Sequence, residues 1–143
     1  MRKCYKFCSV FSEGGIRIKD TKFKERVYVA HHARVQLVGN DKIRKIGIGK
    51  YTSLSWKCTI GAPVHPFSTI TNCTLMYKKY KVVHIEDSLS QKRTMVGNDA
   101  WTGCVVTAID GVHIGNGAIT GVGSVVTECI PDYQIWAEIS AKK

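Results

Sequence analysis

A six-residue period runs through the second half of the chain, and few folds can accommodate it. From Val96 onward the residues divide into VGNDAW, TGCVVT, AIDGVH, IGNGAI, TGVGSV and VTECIP. The first position reads Val96, Thr102, Ala108, Ile114, Thr120 and Val126; the fifth reads Ala100, Val106, Val112, Ala118, Ser124 and Ile130. An earlier set, IGKYTS, LSWKCT and IGAPVH, keeps the frame and is led by Ile48, Leu54 and Ile60. A period of six matches neither an amphipathic helix nor a simple alternating strand. It fits a three-sided coil, each side a short strand followed by a turn. Residue i then stacks on i+18, and the sequence obliges: Gly97 on Gly115, Asn98 on Asn116, Ala100 on Ala118, Thr102 on Thr120, Gly103 on Gly121. Coils spaced about 4.8 Å apart pair as parallel strands. The first position fills the narrow interior, and the fifth must be small where the chain turns a corner.

The expectation is a single all-β domain over 1–143, a parallel β-helical solenoid with one long inserted loop. Coils occupy 28–65 and 96–131, with Val29 and Val35 leading two early units and a one-residue slip before Ile48. Residues 1–27 read as an edge or cap, and 132–143 as a C-terminal tail. Between His65 and Met95 the period fails, leaving 66–95 as the insertion. A loop of that length in a compact domain usually carries function. It opens HPFSTITNCTLMY, which is not the composition of a disordered linker.

Charge and cysteine content narrow the class. Lys plus Arg is 21 against 11 Asp plus Glu, a net +10, while 44% hydrophobic residues suffice for a folded core. The basic residues cluster locally at Lys19 to Arg26, Lys42 to Lys50 and Lys78 to Lys81, with no zinc finger, basic zipper or aromatic RNA-binding motif. Two readings of this excess stay open: a solvated basic surface, and a site for an anionic small molecule. Nucleic acid is disfavoured as a partner. No apolar run approaches the roughly 18 residues of a membrane span. The N-terminus, broken by Lys3 and Lys6, lacks a signal-peptide core, so the expected location is cytoplasmic and no membrane partner is expected. The six cysteines, without a C-x-x-C, fit reduced, buried thiols better than a disulfide framework. No His pair has the H-x4-H spacing that a zinc site on such a coil would need, so no metal is expected.

The phrases IGKYTSLS, HPF and VGNDAWTGCVVTAIDGVHIGNGAITGVGSVVT resemble the hexapeptide-repeat acyltransferases, particularly the xenobiotic and chloramphenicol-type O-acetyltransferases. The resemblance covers about Ile46 to Lys143. It implies a left-handed parallel β-helix, acetyl-CoA as co-substrate and a homotrimer with active sites between subunits. The implied reaction moves an acetyl group to a hydroxyl of a sugar, a polysaccharide precursor or an antibiotic-like small molecule. A hydroxyl is a weak nucleophile at neutral pH, and imidazole, with an ordinary pKa of about 6.5, suits the task of taking its proton. His65 matches the family's catalytic His-Pro position at the mouth of the inserted loop. The same resemblance assigns Trp101, Gly103, Gly121, Ser124, Thr127 and Lys142 to the cofactor. Tyr51, Phe67 and Tyr77 are the candidates for contact with the acceptor. His113, at an outward sixth position, reads as a solvated face residue. The pattern departs from the family at Ser68, Glu128, Glu138 and Ser140. These departures motivate an alternative: a catalytically degenerate binding or assembly protein on the same coil. Thr102 and Thr120 also put hydroxyls where Ile normally packs, although a stacked pair could hydrogen-bond across coils.

Overall fold

The computed structural model describes residues 11–12, 17–18, 21–24, 26–35, 46–64 and 93–139. Every strand in it is parallel to its neighbours, as a coil with an 18-residue circuit requires. Three sheets form the three faces. The first face stacks β1 (Phe11–Ser12), β4 (Tyr28–Val29), β7 (Ser53–Leu54), β10 (Trp101–Thr102), β13 (Ile119–Thr120) and β15 (Ile135–Trp136). The second stacks β2 (Arg17–Ile18), β5 (Arg34–Val35), β8 (Thr59–Ala62), β11 (Thr107–Ile109) and β14 (Val125–Val126). The third stacks β3 (Thr21–Phe23), β6 (Ile46–Ile48), β9 (Met95–Val96) and β12 (His113–Ile114). The result is a left-handed parallel β-helix. Among the described residues no helix is long and apolar enough to cross a membrane.

The repeat positions fall where the period places them. Ile48, Leu54, Ile60, Val96, Thr102, Ala108, Ile114, Thr120 and Val126 are all buried, as are Ala100, Val106, Val112, Ala118, Ser124 and Ile130 at the corners. Burying each Ile or Leu stabilises the coil by about 1.5–3 kcal/mol relative to exposure. The i+18 register holds, with Trp101 on Ile119 and Thr102 on Thr120. At the corner between the third and first faces, side-chain amides make a ladder. Asn116 Oδ1 accepts from Asn98 N at 2.9 Å, and Asp132 Oδ1 accepts from Asn116 N at 2.7 Å. The Asn116 side-chain amide, which donates to Asp132 Oδ2 at 3.1 Å, and then the Asn116 N–H hold the Asp132 carboxyl below its ordinary range.

Four features differ from the sequence expectation. The stretch before Val27 is more than a cap, because β1, β2 and β3 contribute to all three faces. The winding also passes 131: β15 pairs with β13, and Ile139 bridges to Val125. Met95, placed in the insertion by period alone, belongs to β9. Finally, the step from Val35 to Ile48 is seven residues longer than the regular step from Ala108 to Ile114, whereas the slip expected from the period was a single residue. Cys58 is buried, with its thiol pushed up to about 11 by that burial, but Cys104 is half-buried and Cys129 is exposed.

Thr102 and Thr120 stack without bonding to each other. Thr102 Oγ1 instead accepts from Ser55 N at 3.3 Å and bonds with the Cys58 side chain. Among the described residues, Thr120 Oγ1 and Ser124 Oγ are buried with no hydrogen-bond partner. A buried hydroxyl without a partner costs about 1–3 kcal/mol. Replacing Thr120 by Val, nearly the same shape, therefore removes a penalty. Thr120→Val is expected to raise the unfolding free energy by about 1 kcal/mol, read from denaturant midpoints.

Candidate functional site

The regular winding is interrupted between β8 and β9, at the corner joining the second and third faces. The step from Ile60 to Val96 is thirty residues longer than the regular one. The chain prepares for this departure. Register between β11 and β8 shifts at Ala108/Ile109, and Gly61 takes φ +80°. A bulge built on a left-handed glycine bends a strand and ends its pairing.

Both stems of the excursion are held by one residue of the next coil. Asp110 N donates to Ala62 O at 2.8 Å on the outgoing side. Its carboxylate oxygen Oδ1 accepts from Thr94 Oγ1 at 2.8 Å on the returning side. Thr94 is buried, and its hydroxyl also accepts from Gly111 N at 2.8 Å. A three-partner arrangement of this kind fixes where the chain leaves and where it returns.

Beside the returning stem, the third face carries a groove of about 600 Å³. Its origin is a missing side chain. The outward column of this face runs Lys22, Gly47, Met95, His113 in strand register, and Gly47 leaves a dent between its longer neighbours. The Arg93 guanidinium lies across that dent: a Cβ on Gly47 would come within 3.2 Å of Nη2. Lys24, Gly49, Gly97, Asn98 and Asn116 continue the lining toward the next corner. The described lining holds three obligate cations and a histidine, with no carboxylate.

The residues singled out in the sequence fall in several places. Trp101 lies on the first face, 47% exposed, its Nε1 donating to Ser55 Oγ at 3.0 Å. In strand register it belongs to an outward column of Tyr28, Ser53, Trp101, Ile119 and Ile135, with Ile135 64% exposed. Gly103 and Gly121 follow β10 and β13, one above the other. A Cβ on Gly103 would sit 2.7 Å from Val122 N, and one on Gly121 would sit 2.9 Å from Ala137 Cβ. Close stacking of coils thus accounts for both glycines without a ligand. Ser124 departs from its expected role, since its side chain is wholly inside the coil and cannot line a surface groove. Thr127 is exposed. Tyr51 is exposed at the corner between the third and first faces, with φ +59° and the Arg26 guanidinium carbon 5.7 Å from its ring centroid. His65, Phe67, Tyr77 and Lys142 lie outside the described residues, as do Ser68 and Ser140.

The groove was not anticipated from sequence. His113 is exposed, as expected of a face residue, but it ends a column that also holds Lys22 and Met95. Among the described residues, no group of three or more His, Cys, Asp or Glu is arranged to hold a metal ion.

No family model matches the chain. A chloramphenicol acetyltransferase from Klebsiella aerogenes is 26% identical over 117 residues, covering 78% of this chain and 56% of that protein. A probable macrolide acetyltransferase from Lysinibacillus sphaericus is 43% identical over 49 residues, covering 34% of this chain and 27% of that protein. The chain thus spans about half, or less, of the length of these relatives. Among solved structures, a hexapeptide-repeat containing acetyltransferase from Vibrio cholerae, complexed with acetyl coenzyme A, superimposes with a TM-score of 0.64. The match covers 96% of this chain and 70% of that one at 14% identity, so it speaks for the fold.

Proposed function

Since the chain is a hexapeptide-repeat left-handed β-helix of the kind found in acetyltransferases, we propose that it transfers an acetyl group from acetyl-CoA to an acceptor hydroxyl, with His65 as general base. The observation that carries this reading is the built interruption between β8 and β9. His65 follows Val64 directly, three residues beyond the end of β8 and the Asp110 contact at Ala62. A base must be held within hydrogen-bond reach of the proton it takes, and the clamped stem that leads toward His65 supports this reading. Taking the hydroxyl proton as oxygen attacks the thioester carbonyl leaves imidazolium, which can return the proton to the departing thiolate.

The acetyltransferase names of the matched relatives support acetyl-CoA as donor, and the Vibrio cholerae structure carries that molecule. Trp101, Thr127 and Lys142 remain the proposed donor contacts, and Gly103 and Gly121 lend backbone at the adjoining corner. Phe67, Tyr77 and Tyr51 are proposed to face the acceptor, a saccharide or antibiotic-like small molecule. The exposed column of Tyr28, Trp101 and Ile135 is a surface that a second copy would cover, which supports a homotrimer with sites between subunits.

Calorimetric titration with acetyl-CoA tests the donor half directly. Saturable binding with a dissociation constant below about 1 mM, worth about 4 kcal/mol, is expected. Absence of binding at millimolar ligand would leave the degenerate binding protein as the better account, in keeping with the acidic Glu128 and Glu138 on the exposed surface near the last coils.

A further inference from the structure

We infer that the corner between the third and first faces is a docking ridge for a flat, neutral glycan chain, gripped by Tyr51 and Tyr133 with Asp99 between them. The inference deepens the acceptor half of the proposed acetyl transfer and rests on that reading only for the chain's part as acceptor. In strand register, the fourth position of the repeat at this corner runs Arg26, Tyr51, Asp99, Gly117 and Tyr133. All five take a left-handed backbone, with φ between 54° and 60°. Gly, Asn and Asp adopt that conformation at least cost, whereas a bulky side chain is strained in it. Two tyrosines held there weaken the fold unless their rings serve something. Neither ring belongs to the core: Tyr51 is 53% exposed and Tyr133 80%. Gly117 makes room for the second ring, since a Cβ there would stand 2.5 Å from Tyr133 Cδ1.

Exposed aromatic rings beside a carboxylate match a sugar, which has an apolar C–H face and a rim of hydroxyls. Tyr51 and Tyr133 lie three coil steps apart, about 14 Å, so the ligand they share is a chain and not a single ring. A flat chain suits them because the coil sets its rungs in one straight column. Asp99 is exposed between them, and among the described residues its carboxylate makes no hydrogen bond. An ionised carboxylate can accept two hydroxyls at once. The neighbouring Asn98, Asn116 and Asp132 already bond one another and Lys50 N, which leaves that task to Asp99. Arg26, its guanidinium carbon 5.7 Å from the Tyr51 ring centroid, gives the column one cation against the one carboxylate. That balance favours a neutral chain over a charged one. The ridge and the inserted segment border opposite edges of the third face, so the ridge adjoins the same face as the part of the chain assigned to the acceptor.

The test is an NMR titration of the whole chain with cellohexaose and, separately, chitohexaose, which needs no acetyl-CoA and no turnover. Saturable binding of at least one of them within about 10 mM is expected. Tyr51→Asn and Tyr133→Asn should each weaken it about 10-fold, as loss of an anchoring ring does, and Asp99→Asn should weaken it as well. His32→Asn changes an exposed residue with φ +57° at the corner between the first and second faces, and should leave the affinity unchanged. Asn accepts a left-handed backbone more readily than Tyr, so Tyr51→Asn should hold or raise the denaturant midpoint, which separates a binding role from a packing one. Absence of saturable binding of both sugars, indifference to both tyrosine changes, or a lowered midpoint in Tyr51→Asn would each overturn the proposal. So would a change of oligomeric state in the doubly substituted chain, read by sedimentation, because the ridge would then belong to a second copy. Failure of acetyl-CoA to bind would count against the acetyl transfer while leaving the glycan result readable.

Discussion

His65→Ala should lower turnover by about 100-fold or more while leaving acetyl-CoA affinity and the melting temperature unchanged, because a positioned general base contributes roughly 10²- to 10⁴-fold. Such a loss corresponds to about 2.7 kcal/mol of transition-state stabilisation. The split between turnover and donor affinity is the informative part. A base acts on the proton that moves during attack, so its removal should leave binding of the thioester intact. Unchanged turnover with an acceptor that the wild type processes would refute the assignment.

Gly97→Ala should remove about 3 kcal/mol of stability or more, a large share of the roughly 5–15 kcal/mol that holds a domain together. A Cβ there would stand 2.5 Å from Asn116 N and 2.6 Å from Gly115 C, backbone atoms that cannot swing aside. The coils would have to part locally, straining the bond from Gly97 N to Ile114 O at 2.7 Å and that from Asn98 N to Asn116 Oδ1. Gly123→Ala is the control. Its φ is +73° and nothing lies within 4 Å of its missing Cβ, so only the dihedral cost of about 1–2 kcal/mol applies. Equal losses in the two variants, measured by denaturant unfolding, would show that coil spacing is softer than the contacts require.

The difference between those glycines marks the limit of reading this chain as a string of letters. The period assigns interior and corner positions correctly because Ile48, Leu54, Ile60 and their successors recur at a fixed step with fixed chemistry. It fails before Val27 because the early coil is irregular: Phe11 pairs with Tyr28, and Tyr28 with Ser53, at two different separations. With that coil unrecognised, Lys22 had no neighbour in register, and its charge could be read only as part of a basic run. The groove is a product of stacking Lys22, Gly47 and Met95, three residues that share no motif. Gly103 and Gly121 show how one letter can answer two demands: the next coil already requires both glycines, so the letter alone does not point to a ligand. Thr102 and Thr120 were aligned correctly, but alignment does not say which partner a hydroxyl will choose.

The double grip of Asp110 has a consequence for how such a molecule can change. With the outgoing stem held at Ala62 and the returning stem at Thr94, the intervening cassette closes on fixed posts whatever its length. Closure entropy then rises by only about 0.6 kcal/mol for each doubling of the span. Selection can therefore rewrite the cassette for new customers while the scaffold beneath keeps its registration.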